Sequence, residues 1–166
     1  MRAGATPRVP SDIDQIFAIT FNRFFVEMAR IVTERFHSDL HLFLVLVAVA
    51  NSSVAKIMNT NERIEKYKSL DVEIEEEYGF TRLLTIAQIV GLPRTTVRRK
   101  IAVLIELGYV EHSEGEGYRT IKGRMGKSPV INDILALEYI LLGRLIGDLT
   151  KRGIMDRSGL RSAGQR

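Results

Sequence analysis

The stretch Leu83–Ile121 decides the fold, and it reads LLTIAQIVGLPRTTVRRKIAVLIELGYVEHSEGEGYRTI. Apolar residues recur in it at helical spacing, first over Ile86–Val90 with Thr85 as the N-cap, and again over Arg94–Leu107. The segment Gly91-Leu92-Pro93 separates the two runs. Gly91 stands where a tight turn between helices needs a residue that adopts positive φ without strain. The sequence therefore predicts two short helices joined by a turn.

A hairpin is predicted directly after the second helix. Tyr109–Glu111 and Tyr118–Ile121 are compatible with β-strands, and the glycine-rich segment Ser113–Gly117 lies between them. A short extended segment at Thr81–Leu84 precedes the first helix. Helix, turn, helix and hairpin in this order indicate a winged helix-turn-helix, which is a mainly α fold with a small β-hairpin wing.

Basic side chains are concentrated in the same region. The whole chain of 166 residues has a formal net charge of +4, and the segment from Gly91 to Lys127 holds eight basic and four acidic residues, an excess of the same size. The segment 62–77, in contrast, holds seven acidic and three basic residues, and we interpret it as a solvated helix or linker. Neutralised phosphates and the counterions they release supply most of the sequence-independent affinity of DNA-binding proteins. Double-stranded DNA is therefore the predicted partner.

The second helix has one aliphatic side and one polar side. At about 100° per residue, several apolar residues fall together and are expected to face the core: Val97, Ile101, Leu104 and Ile105, with Ile86, Ile89 and Leu92. The opposite side carries Thr95, Thr96, Arg99 and Ala102. Arginine can grip guanine through two hydrogen bonds, and threonine can contact a thymine methyl group. We predict that Thr95, Thr96 and Arg99 read bases and that six cations hold phosphates: Arg94, Arg98, Lys100, Arg119, Lys122 and Arg124.

Helices are predicted on both sides of this DNA-binding lobe, which spans residues 80–127. Residues 11–58 hold two of them, and Ser38 or Asp39 caps the second. The second helix contains the apolar run Leu42–Ala50. This run is far short of the roughly 20 residues that a membrane-spanning helix needs, so a buried helix is predicted there and no membrane association.

The flanking helices predict a homodimer. They carry more apolar surface than one small winged helix can cover, and the predicted interface residues on them are Phe24, Phe25, Leu141 and Leu145. Residues 11–153 are expected to form a single winged-helix domain with dimerisation helices at 11–58 and 128–152. A flexible arm is expected at residues 1–10 and a disordered tail at residues 154–166.

The order GLPRTTVRR at Gly91–Arg99, followed by LIELGYV at Leu104–Val110, resembles the recognition helix and first wing strand of bacterial winged helix-turn-helix regulators. In overall plan the chain resembles the MarR family. This resemblance implies a DNA-binding domain in the middle of the chain and a dimer formed by helices from both ends. Two features depart from the family pattern: Pro93 replaces the usual capping serine or threonine, and the acidic segment 62–77 precedes Gly79.

These features predict a cytoplasmic, sequence-specific transcriptional regulator that acts as a homodimer. The alternative is a non-enzymatic winged-helix subunit that binds other proteins in a larger assembly. The sequence holds no nucleophile elbow, phosphate-binding loop or dinucleotide fingerprint, so neither an enzyme nor a cofactor is expected.

Two histidines and four phenylalanines are candidates for a metal site and an effector site. The chain has no cysteine, and His37 and His41 have a spacing that zinc ligands use, but no third ligand accompanies them, so no metal site is predicted. A small-molecule effector is a further predicted partner, in a cleft near Phe17, Phe24, Phe25 and Phe36. The alternative is that these rings form ordinary core, as aromatic side chains commonly do.

Overall fold

The computed structural model describes residues 11–55, 78–121, 123–156 and 159–160. The helices and strands, in chain order, are α1 Asp12–Arg35, α2 Leu40–Val54, α3 Leu83–Val90, α4 Arg94–Glu106, β1 Val110–Ser113, β2 Gly117–Thr120, α5 Pro129–Lys151, β3 Met155–Asp156 and β4 Gly159–Leu160. The arm predicted at residues 1–10 and the acidic segment 62–77 lie outside the described residues. A mainly helical chain with a small antiparallel hairpin, consistent with a winged helix-turn-helix, is confirmed.

The chain divides into two compact units. One is Val32–Asp133, which contains the predicted DNA-binding lobe, and the other combines the two ends of the chain, Met1–Ile31 and Ile134–Arg166. The boundaries fall within α1 and within α5. The sequence predicted one domain over residues 11–153, whereas the structure groups α2 with the lobe and places most of α1 and α5 in the second unit.

Helix α2 is the buried centre of the unit Val32–Asp133. Helices α3 and α4 and strand β2 all pack against it. Its buried residues are Leu42, Phe43, Val45, Leu46, Ala48, Val49 and Ser53. Each large apolar side chain buried in this way contributes roughly 1.5–3 kcal/mol. The buried helix predicted over Leu42–Ala50 is thus confirmed as a core helix of this unit, because two short helices cannot bury their apolar sides without a third. Its predicted part in dimerisation stays a prediction.

The wing is a two-stranded antiparallel hairpin with one extra pairing residue. Strands β1 and β2 pair from Val110 opposite Thr120 to Ser113 opposite Gly117. Thr81 adds a single bridge, in which its backbone N–H and carbonyl pair with Tyr118 at 2.8 and 2.9 Å. Gly117 permits this approach, since a Cβ on it would lie 2.3 Å from the Thr81 oxygen. The predicted extended segment is therefore reduced to Thr81, and α3 begins earlier than predicted, without Thr85 as its N-cap.

Ser53 ties the C-terminal end of α2 to the wing. Its hydroxyl accepts a hydrogen bond from the Thr120 N–H at 3.1 Å and donates one to the Val49 carbonyl at 2.8 Å. Its backbone carbonyl accepts from the Gly79 N–H at 2.9 Å. Ser53 and Thr120 are both buried, so loss of the hydroxyl would leave a peptide N–H without a partner and away from water.

Local capping sets the bounds of the helices that enter the second unit. At the start of α1 the Ser11 hydroxyl accepts from the Asp14 N–H at 3.3 Å, and the Asp14 carboxylate accepts from the Ser11 N–H at 2.8 Å. Helix α5 ends before Gly153, whose φ is +69°, and the N–H of the buried Ile154 donates to the Leu149 carbonyl at 3.0 Å. The span predicted for this helix, 128–152, agrees with the structure to within one residue at each end.

Strands β3 and β4 form a second antiparallel pair beyond α5, with Met155 opposite Leu160 and Asp156 opposite Gly159. These strands lie within residues 154–166, where a disordered tail was predicted. Strands of two residues have no periodicity that a sequence can reveal. Residues 161–166 lie outside the described residues.

The Ser53 contact yields a stability prediction. Ser53→Ala is expected to lower the free energy of unfolding by about 1–3 kcal/mol more than Ser52→Ala does, because only the first change strands a buried N–H. The two hydroxyls share one contact, since Ser52 also donates to the carbonyl four residues earlier at 2.8 Å, although Ser52 is only half-buried. Urea denaturation of the two variants measures the difference. Equal losses would show that the Thr120 N–H finds another partner.

Candidate nucleic-acid interface

The two helices of the motif, α3 and α4, are joined as the sequence predicts. Gly91 has a φ of +67° and ends α3, and the N–H groups of Gly91 and Leu92 are both directed to the Ala87 carbonyl. Pro93 follows with a φ of −57°, and α4 begins at Arg94. The left-handed glycine ends the first helix, and the second helix starts three residues later.

Helix α4 buries its aliphatic side and exposes the side predicted to contact DNA. Val97, Ile101 and Leu104 are buried. The exposed residues of its first turns are Arg94, Thr95, Arg98, Arg99 and Ala102. Thr96 and Lys100 are half-buried at the margin of this face. The structure therefore brings the predicted base-reading residues Thr95 and Arg99 together on one exposed face, with Thr96 at its edge.

Two apolar residues that were predicted to face the core are exposed instead. Ile89 of α3 is 57% exposed and Ile105 of α4 is 39% exposed. Helix α3 has only eight residues and buries only Ile86 and Ala87, so one narrow side of it is covered. In the last turn of α4 the buried position is taken by Leu104, which turns Ile105 toward solvent.

The N-terminal end of α4 has backbone hydrogen-bond donors that have no partner within the helix. Pro93 provides no side-chain cap, and the N–H groups of Arg94, Thr95 and Thr96 have no carbonyl four residues earlier within the helix. These donors and the aligned peptide dipoles give the helix end a partial positive charge that favours a phosphate. The exposed Arg94 adds a full positive charge at the same end.

Three arginines of α4 are available to a ligand. Arg94, Arg98 and Arg99 are exposed, and none of their side chains forms an ion pair or a hydrogen bond within the described part of the chain. Their guanidinium groups are therefore free to pair with phosphate oxygens or base edges.

Lys100, the fourth cation of α4, is already bound. Its ammonium forms an ion pair with Asp39, the N-cap of α2, and the two side chains are 17% and 28% exposed. Partial burial acts to raise the pKa of Asp39, but hydrogen bonds from Lys100 and the Leu42 N–H, together with the charges of Lys100 and His41, outweigh burial and hold the pKa below its ordinary value of 3.8. At neutral pH, Lys100 is thus committed to a carboxylate of its own chain.

Two arginines at the base of the wing also have partners. Arg119 donates to Glu111 at 2.5 Å, and its guanidinium lies 4.4 Å from the centre of the Phe80 ring. The guanidinium of Arg124 lies 5.7 Å from the centre of the Tyr109 ring. Both arginines were predicted to hold phosphates, and in the structure both brace the wing against neighbouring aromatic rings.

The wing tip is acidic and exposed. Glu114 and Glu116 flank Gly115, and the Ser113 hydroxyl donates to Glu116 at 2.7 Å. Carboxylates at this point would repel a phosphate backbone, so contacts between hairpin and DNA are expected at the base of the wing. Lys122, predicted to supply one of them, lies outside the described residues.

Arg82 is an exposed cation that the sequence analysis did not assign. It stands directly before α3 as the N-cap residue, and its side chain does not cap the helix. The sequence did not indicate that Arg82 lies at a helix end, because Thr85 was predicted as the N-cap. Arg82 was therefore placed within an extended segment. The true start of α3 places Arg82 at the N-terminal end of the first helix of the motif.

The four residues predicted for the dimer interface differ in exposure. Phe25 is 59% exposed, whereas Leu141 is only 6% exposed. Phe24 and Leu145 are half-buried. The sequence does not indicate which of the four residues are buried and which are exposed, because each is a large apolar residue on a helix with many apolar residues.

The structure gives the surroundings of three residues that were candidates for effector and metal sites. Phe36 is fully buried and its ring packs on the rings of Phe43 and Tyr109 at 5.4 and 5.9 Å, so it belongs to the core. His37 and His41 are exposed. Within the ranges that the structure describes, no three histidine, aspartate or glutamate side chains are grouped closely enough to hold a metal ion.

Residues 76–114 match the family described as the IclR helix-turn-helix domain. The matched segment includes Thr81, α3, the turn, α4 and β1, and it leaves out the flanking helices. Searches of curated proteins and of solved structures returned no match. The match supports a bacterial transcriptional regulator of the helix-turn-helix type, and it does not support the MarR family in particular.

None of the described helices alone combines the length and the apolar composition that crossing a membrane requires. Helices α1 and α2 satisfy both criteria only when they are taken together across the bend that separates them.

The exposed face of α4 yields a prediction on base reading. On a duplex selected by the wild-type protein, Arg99→Ala is expected to lose about 1–3 kcal/mol of binding free energy and to relax the preference at one base pair. Arg98→Ala removes the same charge from the same face and is expected to weaken all duplexes about equally. Competition binding with single-base variants of the duplex measures both effects. A sequence-independent loss from Arg99→Ala would remove Arg99 from the base-reading residues.

Proposed function

We propose that this protein is a transcriptional regulator that binds double-stranded DNA sequence-specifically as a homodimer. The observation that carries the proposal is the exposed N-terminal half of α4, on which Arg94, Arg98 and Arg99 have no partner in the described part of the chain. In helix-turn-helix proteins the second helix of the motif enters the major groove with its N-terminal residues against the bases. In this chain those residues are arginines and threonines.

The residues of α4 divide between two roles. Thr95 and Arg99 lie on the exposed face and would read base edges, with Thr96 contributing from the margin. Arg94 and Arg98, together with the free N–H groups at the start of the helix, would hold the phosphate backbone on either side of the groove. The buried aliphatic side of the helix keeps this face directed outward.

A second copy of the chain would pair along α5. Four of its exposed apolar residues recur at intervals of four, three and four: Leu135, Tyr139, Leu142 and Ile146. This spacing is typical of helices that pack side by side along a seam. Tyr139 is 81% exposed, and a stripe of this kind is self-complementary across a two-fold axis. We therefore assign the proposed interface to this stripe and to Phe25, in place of Leu141.

Two readers related by a two-fold axis would favour an inverted repeat. The half-sites are then expected about 10 base pairs apart or at a multiple of that distance, because both recognition helices must reach the same side of the duplex. The MarR-like plan, the cytoplasmic location and the small-molecule effector stay predictions from the sequence.

A salt titration on random-sequence duplex tests the proposed function. The logarithm of the binding constant should fall linearly with the logarithm of salt concentration, by about 0.9 for each phosphate that the protein neutralises. Arg94→Gln and Arg98→Gln should each make this slope shallower by about that amount. A winged-helix subunit that binds only proteins would show no such binding, and that result would favour the alternative function.

The proposed interface yields a prediction at two adjacent residues. Leu142→Asp is expected to give a folded monomer, because Leu142 is 46% exposed and its charge would lie in the seam. Leu141→Asp should instead unfold its unit, because it places an unpaired charge at a buried position. Sedimentation velocity and circular dichroism separate the two outcomes. A wild-type protein that sediments as a folded monomer at micromolar concentration would rule the homodimer out.

A further inference from the structure

The ion pair between Asp39 and Lys100 joins α2 to the recognition helix α4 across 61 residues of sequence. Both carboxylate oxygens of Asp39 are used. Oδ1 accepts from the Leu42 N–H at 2.9 Å, and Oδ2 accepts from the Lys100 ammonium. A single side chain thus caps the core helix and holds the helix proposed to read DNA.

The turn that carries Asp39 is firmly held. Its N–H donates to the Phe36 carbonyl at 3.0 Å, and the Phe36 side chain is fully buried. Between these residues, His37 and Ser38 have φ values of +51° and +54°. Non-glycine residues keep a left-handed backbone only where the surrounding contacts impose it. Asp39 is therefore a fixed point from which α4 can be oriented.

The side chains that α4 buries in the described part of the chain are aliphatic. Val97, Ile101 and Leu104 are buried on its inner side, and hydrophobic burial has no preferred direction. Such packing holds a helix against a core but leaves small rotations about its own axis inexpensive. A charge-assisted hydrogen bond is directional. The Lys100 contact lies at the margin of the exposed face, where it opposes rotation of that face.

We propose that Lys100 is a positioning residue, which sets the rotation of α4 through Asp39 and thereby the base preference of the protein, instead of holding a phosphate. The proposal rests on the proposed function. It corrects the role predicted for Lys100 and leaves Arg94 and Arg98 as the phosphate contacts of the helix. Base recognition depends on this rotation, because a side chain displaced by about 1 Å no longer makes paired hydrogen bonds.

The test compares wild type, Lys100→Gln, Asp39→Asn and the double variant. Asparagine caps a helix about as well as aspartate, so Asp39→Asn breaks the ion pair and keeps the cap of α2. Two duplexes are used, one selected by the wild-type protein from a random pool and one of random sequence. Each single variant is expected to lose about tenfold in the ratio of specific to random affinity, and the double variant no more than that, as for two residues acting through one contact.

The salt dependence separates positioning from phosphate binding. For a positioning residue, the slope on random duplex is unchanged in both single variants. If Lys100 instead held a phosphate, Lys100→Gln would make the slope shallower by about 0.9. Asp39→Asn would then tighten binding to both duplexes by releasing the ammonium. Either result would overturn the proposal.

A control variant in the unit Val32–Asp133 separates a loss of stability from a loss of specificity. Binding is measured well below the lowest melting temperature of the set, so that all proteins are folded. Asp133→Asn breaks the Arg35–Asp133 ion pair, whose side chains are 45% and 49% exposed, and it should leave the specificity ratio unchanged. A lower melting temperature in the Asp39 and Lys100 variants with an unchanged specificity ratio would show a purely structural contact and would also overturn the proposal.

The outcomes distinguish this proposal from the function on which it rests. A wild-type protein that binds neither duplex would defeat the proposed function, and the role of Lys100 with it. Wild-type binding with a steep salt slope, and no loss of selectivity in either variant, would defeat the role of Lys100 alone.

Discussion

The burial of α2 is the constraint on which the rest of the unit Val32–Asp133 depends. The recognition helix, the first helix of the motif and the second wing strand all pack on this one helix, so its removal would leave each of them with an uncovered apolar side. Its two ends are also held by polar contacts, Asp39 to Lys100 at the start and Ser53 to the Thr120 N–H at the end. Apolar burial supplies most of the stabilisation, and the two polar contacts restrict how α4 and the wing are oriented on it.

Burial decides which basic side chains of this unit are paired within the chain and which are exposed to solvent. Lys100 is largely covered, and a covered charge is costly unless a partner compensates for its lost hydration; Asp39 is that partner. Arg119 is likewise paired with Glu111. The arginines at 94, 98 and 99 are exposed and need no internal partner, which is why they remain available to an external anion. A basic region identified by composition therefore contains both exposed cations and cations that are paired within the chain.

In helix α5, burial separates apolar residues in the same way into buried and exposed ones. Leu141 and Leu142 are adjacent and chemically identical, yet the first is buried and the second is 46% exposed. Successive residues of a helix point about 100° apart, so neighbours face different surroundings. Composition predicts that such a helix needs partners on more than one side, and the structure shows which of its apolar residues are buried and which are exposed.

The sequence by itself determined the elements whose causes are local. Gly91 ends α3, Asp39 caps α2 and the glycine-rich segment turns the hairpin, because capping and turn formation involve residues a few positions apart. The aliphatic and polar sides of α4 also follow from its own spacing. Only the tertiary structure decided that α2 belongs to the unit Val32–Asp133, that Thr81 pairs with Tyr118, that Ile89 and Ile105 face solvent, and that Lys100 is held by Asp39. These features depend on contacts between residues as far apart as 61 and 67 positions. A local sequence pattern does not indicate which distant side chain will form such a contact.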